Sequence, residues 1–370
     1  MRVCSRAMQA ARNIRARVLC LAFLVCSARA SGGFMVAGDD AETGLKFSGR
    51  LQFRYTATAS PETPDDDGSY GFSFRRIRIE GDYRIGDLHA IVKLGSPDID
   101  GVSLVEAFVT KKFGEDWTIS GGQIRLAFNR EMWVSSKRQL AVDRTSIANN
   151  INAGRSDKIH GVEFMYRSEP VRVFFTLGEG VDSDGKTFNG PGSQWSVTVR
   201  GEILLVGDNF KQFKQYTAPR GTKPGLLLGA AAHVQHTPDA GERFAWTADL
   251  GYQASGFNAM IMGGGHTAED RNASGEPESL FGVAGHVGVY VTDDVEPFAR
   301  YEWGTASDGP DLNVATLGVN WYIAGQALKM TVDAGVAFDG VGPAFNRNSD
   351  GLLESTGTRY LLRGQVQVLF

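Results

Sequence analysis

Sixteen stretches of this chain alternate apolar and polar residues, and that period of two constrains the fold more than any other feature. Leu45, Phe47, Leu51, Phe53 and Tyr55 interleave with Lys46, Ser48, Arg50, Gln52 and Arg54. Phe244, Trp246, Ala248, Leu250 and Tyr252 share one parity. At the end of the chain Tyr360, Leu362, Val366, Val368 and Phe370 oppose Arg359, Arg363, Gln365 and Gln367. Successive side chains on a strand point to opposite faces, so each run reads as a strand with one apolar face. The runs begin near residues 45, 71, 87, 102, 116, 158, 170, 193, 225, 242, 256, 279, 295, 311, 326 and 358.

The links between runs alternate as well. "RIGD", "FGED", "RSEP", "ASGF", "TDDV" and "IAGQ" are tight connections, the length of hairpin turns. Between them lie "SPETPDDDGSY", the stretch from Asn129 to Asp157, "GVDSDGKTFNGPG", "TAEDRNASGEPES" and "DGVGPAFNRNSDGLLESTG". An antiparallel meander with turns on one rim and loops on the other produces this pattern. One link departs from it: Gly207 to Pro224 is long where a turn is expected, which casts doubt on a neighbouring strand.

A soluble sandwich would have shorter strands and less regular links. Runs of about 10 to 13 residues suit tilted strands that cross a bilayer. Apolar outside and polar inside is the pattern of a barrel in lipid around a water-filled lumen. The expected fold is therefore all-β, a transmembrane antiparallel β-barrel of sixteen strands. Closure pairs the last strand with the first and puts Phe370 in an interfacial aromatic girdle. No window holds 18 consecutive apolar residues, so no helical span is expected.

The opening residues read as a leader. Five arginines and no acid precede Val18–Cys26 ("VLCLAFLVC"), and Ala28-Arg29-Ala30 is a small-x-small site. This is the layout of a cleaved signal peptide over residues 1–30, followed by a short periplasmic segment, 31–43, and the barrel from 44 to 370. All three cysteines lie in the leader, which excludes disulfides, thiol catalysis and cysteine metal sites from the mature chain. Six of the 38 basic residues lie there too, leaving 32 against 42 acids, a net charge of −10. That balance argues against a nucleic-acid partner.

"GFSFRRIRIEGDY", "GGQIRLAFNREMWVSSKRQLAVDR" (Gly121 to Arg144) and "GRSDKIHGVEFMYRSEPVRVFFTLGEG" resemble the phosphate-selective porin O and P family. The resemblance covers about residues 44 to 180 and is most specific between Gly121 and Arg144. It implies a homotrimeric channel in a Gram-negative outer membrane, with the third outward loop folded into the pore as a constriction. Counting links independently makes 129–157 the third on the rim that carries the loops, and the longest. The aromatic end resembles the signal by which barrel-assembly machinery recognises its clients. Expected partners are thus that machinery, outer-membrane lipid and small anions such as phosphate or pyrophosphate, with no cofactor, metal or catalysis.

Such a site works by charge and hydrogen bonding at a narrow point, where Arg or Lys replaces part of the water around a permeating anion. Arginine suits phosphate because its planar fork donates two parallel hydrogen bonds. Arg50, Arg54, Arg76, Arg78, Lys93 and Arg125 are candidates on lumen parity, with Arg75 beside them. Phe74 and Ile77 lie on opposite parities, so a bulge at Arg75–Arg76 would turn both guanidiniums inward. In the loop Arg130, Lys137, Arg138, Arg144 and Arg155 outnumber Glu131, Asp143 and Asp157. The constriction candidates are Arg75, Arg76, Arg50, Arg54, Arg125, Lys137 and Arg138. The competing reading makes the wall arginines mere partners of the loop carboxylates Glu131, Asp143 and Asp157, because unpaired buried charge is costly.

Other constellations are weak. His233 and His236 fall on opposite strand faces, and "PDDDG" and "DSDG" lack the closing glutamate of a calcium loop. Two alternatives remain beside an anion-preferring porin. One is a general or cation-preferring porin; the other is a barrel-wall enzyme, which would need a lipid-facing Ser–His pair.

Overall fold

The computed structural model describes residues 34–37, 43–63, 68–96, 101–151, 157–179, 195–238, 241–271 and 277–370. The leader, the acids Asp65, Asp66 and Asp67 of the first outward loop, and Arg155 lie outside the described residues. A short strand, β1 (Phe34–Ala37), precedes sixteen barrel strands. These are β2 (Thr43–Ala59), β3 (Ser69–Ile85), β4 (Leu88–Ser96), β5 (Ser103–Phe113), β6 (Trp117–Arg125), β7 (Lys158–Ser168), β8 (Val171–Gly178) and β9 (Trp195–Val206). They continue as β10 (Gly225–Thr237), β11 (Gly241–Ala254), β12 (Phe257–Arg271), β13 (Pro277–Val289), β14 (Val295–Ala306), β15 (Leu312–Gln326), β16 (Leu328–Ala337) and β17 (Arg359–Leu369). Every barrel strand starts within about two residues of its position in the alternation pattern, because a two-sided strand cannot slip by one residue without turning its apolar face around.

Each barrel strand pairs antiparallel with its sequence neighbour, and β17 pairs with β2 from Leu369↔Arg50 to Tyr360↔Ala59. The sheet closes and leaves no barrel edge open. Gly49 N–H and Phe370 N–H exchange hydrogen bonds with each other's carbonyls, and β1 pairs with Gly44–Phe47 just beyond. A Cβ on Gly49 would stand 2.2 Å from the Phe370 ring, so the seam needs both the aromatic and the glycine. Phe370→Glu and Gly49→Leu are both expected to lower the yield of heat-modifiable barrel in the membrane fraction. Wild-type levels for both variants would refute this role of the seam.

Along the wall one parity faces out and is apolar: Trp246, Ile261, Tyr301 and Val332 are between 41 and 58 % exposed. The other parity faces the lumen and is polar: Arg50, Gln52, Arg54, Thr331, Asp333 and Gln365 are all buried. The expectation of a lumen filled with water needs correction. On β12 to β15 the inward side chains include Met260, Met262, Leu280, Phe298 and Leu312, and they join Leu140, Ile147, Ile151, Phe345 and Leu352 in one apolar cluster inside the barrel. Those partners come from residues 126–151 and 338–358, which fold inward and bury their own apolar faces there. That side of the lumen is packed like a protein core.

The long link at 207–224 also has a physical explanation. Both strands beside it, β9 and β10, exist and pair from Leu226↔Val206 to His236↔Trp195. The link is an insertion from the turn rim into the lumen, with Phe210, Phe213, Tyr216 and Ala218 at most 5 % exposed. It meets the third loop from below: Tyr216 N–H donates to Arg138 O at 3.1 Å.

Candidate functional site

The third loop crosses the lumen between two short helical turns, Arg130–Trp133 and Ser146–Asn150, with a single 3-10 turn at Ser136–Arg138 and otherwise irregular chain between them. Asn129 caps the first turn by accepting from Glu131 N at 2.9 Å and Met132 N at 3.3 Å. Thr145 caps the second by accepting from Ala148 N at 2.9 Å. Between them the backbone has no internal ladder, so the wall must satisfy it. Gln52 donates to Ser136 O, Gln367 to Lys137 O, Lys329 to Gln139 O, Asn320 to Leu140 O, Arg54 to Val142 O and Arg300 to Asp143 O, all within 3.3 Å. Glu302 accepts from Ser146 N at 2.6 Å, a carboxylate at the start of a helical turn. Ile147 then enters a gap in the wall: a Cβ on Gly304 or Gly282 would lie 2.4 or 2.5 Å from its side chain.

The β2–β3 pairing slips by one residue between Gln52 and Phe53, leaving Arg75 as the extra residue of a bulge. Its guanidinium therefore turns into the lumen with that of Arg76. Both converge on Asp143 of the loop, Arg75 Nε at 3.0 Å and Arg76 Nη2 at 3.7 Å, together with Arg54 Nη2 at 2.8 Å. Burial opposes ionisation of Asp143, but Arg75, Arg54 and Arg76 outweigh it and hold its carboxyl well below the usual carboxylate range.

The other residues expected at the site are also placed. Arg50 Nη1 donates to Ser136 Oγ at 2.6 Å. Arg125 pairs with Glu106 and, at 3.4 Å, with Asp157. Lys137 and Arg138 make no side-chain hydrogen bond or ion pair among the described residues. Glu131 is a correction: it accepts from Thr145 N at 3.0 Å and Thr145 Oγ1 at 2.6 Å inside the loop, and reaches no wall arginine. The reason is that Arg130 beside it points the other way, to Glu202 at 2.9 Å. Arg144 also stays within the loop, donating to the carbonyls of Glu131, Met132 and Val134 between 2.9 and 3.1 Å.

Because the loop, its lower insertion and loop 338–358 fill the lumen beside β9 to β16, open space survives along β3 to β6. A cavity of about 670 Å³ lies there. Arg75, Arg76, Arg78 and Arg125 line it from the wall, Arg144 from the third loop, and Lys158 and Arg347 from its rim. Asp157 is the one carboxylate in the lining. Arg347, from "PAFNRNSDG", was not legible as a lumen residue, since nothing local shows that this loop turns inward; Phe345, fully buried against Gly304, is what draws it in.

No family model and no curated protein matches the sequence. Solved structures do resemble the fold. An anion-selective porin from Comamonas acidovorans superposes with a TM-score of 0.63 at 11% identity, covering 89% of this chain and 100% of that one. OmpT of Vibrio cholerae, an outer-membrane protein, gives 0.59 at 12% identity over 90% of this chain and 100% of its own. OmpF of Salmonella typhi, in complex with daunomycin, gives 0.59 at 12% identity over 90% and 100%. Sixteen antiparallel strands closed into a ring, with an inward-folded third loop, have the fold of the porin-type outer-membrane barrels.

Proposed function

We propose that this protein is an outer-membrane diffusion porin that favours small anions. It works as a channel rather than an enzyme, assembles as a homotrimer and sits with its turn rim in the periplasm. The observation that carries the reading is the cavity beside β3 to β6, whose lining holds seven cationic side chains and one carboxylate. A low-dielectric wall with one sign of charge raises the local concentration of the opposite ion. Arginine forks in that lining suit oxyanions such as phosphate or pyrophosphate. The outer loops carry much of the negative excess of the chain, so the overall acidity does not describe the pore.

The test is the reversal potential of the purified protein in a planar bilayer under a KCl gradient. A potential of the sign that reports chloride permeation supports the reading. A cation-preferring channel would mean that the net charge of −10 governs permeation, and the anion preference would fall.

Lys137 adds a pH dependence. Burial lowers its ammonium to about 8, against the pull of Glu80 and reinforced by Arg50, Arg138 and Lys93. It therefore carries its charge below about pH 8 and loses it above. Anion preference should decline between pH 7 and pH 9, and Lys137→Gln should show the lower preference at both. If the wild type keeps one reversal potential across that range, Lys137 does not face the ion path.

A further inference from the structure

We infer that Arg78 is the residue that contacts a permeating oxyanion, and that the more conspicuous Arg54, Arg75 and Arg76 set the shape of the pore instead. The inference rests on the anion-channel reading and assigns it to one side chain.

Each other cation in the cavity lining has a protein partner. Arg75 and Arg76 hold Asp143. Arg125 holds Glu106 and Asp157, Lys158 holds Asp157, and Arg347 holds Asp350 at 3.3 Å. Arg144 is bonded to three loop carbonyls. Arg78 is the one cation of that lining whose side chain makes no hydrogen bond or ion pair with a described residue. It is half-buried, so its guanidinium is within reach of a solute while shielded from bulk water.

Its surroundings cannot neutralise it. The charged groups acting on Arg78 are Arg125, Asp157, Glu106 and Arg144, with Arg50 across the β2–β3 ladder. Glu106 already accepts from Lys93 at 2.6 Å and from Arg125, and Asp157 from Arg125 and Lys158. Three arginines and two carboxylates already paired with other cations thus surround one unpaired guanidinium, and the local balance is positive. The neighbouring strand makes room for it. Gly95 is the cross-strand partner of Arg78, and a Cβ there would come within 3.2 Å of Arg78 Cγ. Beside Gly95, Ser96 and Ser103 also line the cavity. A guanidinium fork lacking a protein acceptor is the donor an oxyanion needs when it sheds water.

The test compares Arg78→Gln and Arg78→Lys with wild type in planar bilayers, after checking that both give heat-modifiable barrels. With an anion-preferring wild type, Arg78→Gln should lower the chloride-to-potassium permeability ratio about threefold, the effect of one charge a few ångströms from the path in a watery lumen. Arg78→Lys should keep that ratio and weaken block of the chloride current by inorganic phosphate, because a point charge replaces the two-pronged donor. An unchanged ratio in Arg78→Gln overturns the assignment and leaves the porin reading standing. A wild type that prefers cations overturns the underlying reading, and the assignment with it.

Discussion

Replacing Asp143 by alanine is expected to release the third loop from the wall and turn a narrow, steady channel into a wider and noisier one. Asp143 is the common partner of Arg54, Arg75 and Arg76, and its side chain is only 2 % exposed. Removing one member of a buried ion pair costs about 3–5 kcal/mol, since the charge left behind keeps its desolvation penalty. Here three guanidiniums lose a shared acceptor at once. Water must enter to solvate them, and the loop is the element that can yield. The barrel itself should survive, because its ladder of strands does not pass through Asp143. Single-channel recordings should show higher conductance and more open-channel noise, while heat-modifiability stays near wild type. Asp143→Asn keeps an acceptor for one guanidinium and should fall between. A quiet channel of unchanged conductance in Asp143→Ala would show that the six carbonyl contacts from the wall hold the loop without the ion cluster.

The second large effect is expected from replacing residues 209–219 by a short glycine–serine link. This insertion supports the third loop from the turn side: Arg130 Nη2 donates to Phe213 O, Tyr216 N–H donates to Arg138 O, and the Arg172 guanidinium stacks 4.3 Å from the Phe210 ring. Without it, the lumen beside β10 to β13 should fill with water and conductance should rise severalfold. The barrel should tolerate the loss because much of the wall underneath is polar. Asp249 Oδ1, Gln253 Oε1, Asn258 Oδ1 and His286 Nε2 are buried there without a hydrogen-bond partner among the described residues. Each such atom costs roughly 1–3 kcal/mol when left dry, so hydration offsets part of the lost packing. Wild-type conductance in the deletion would mean that the ion path never touches that half of the lumen, even when it is open.

Arg75, Arg76 and Arg78 show how much of the site could be read in advance. The bulge followed from sequence alone, because Phe74 and Ile77 cannot both face lipid on a regular strand with Arg75 and Arg76 between them. The convergence of both arginines on Asp143 did not follow, since 68 residues separate Arg75 from that carboxylate. Likewise nothing in "RRIRIE" distinguishes Arg78 from Arg76. Which of them is paired depends on where the loop stops.

What the sequence by itself determined is the wall: strand number, strand starts, the two faces and the rim that carries loops. Those features are local, because a period of two and a turn are each encoded within a dozen residues. The filling of the lumen was decided only in three dimensions. The insertion at 207–224 looked like a miscounted link, and loop 338–358 looked like surface. Their apolar residues, Phe213, Tyr216, Val341 and Phe345, are too sparse and aperiodic to announce a buried face. Tyr216, Val341 and Phe345 gain one only against Met260, Leu280 and Ile147, and Phe213 only against Leu204 and Leu227, brought together once the ring has closed. Pore position and charge depend on what that packing leaves empty, a property of the closed barrel and not of any stretch of chain.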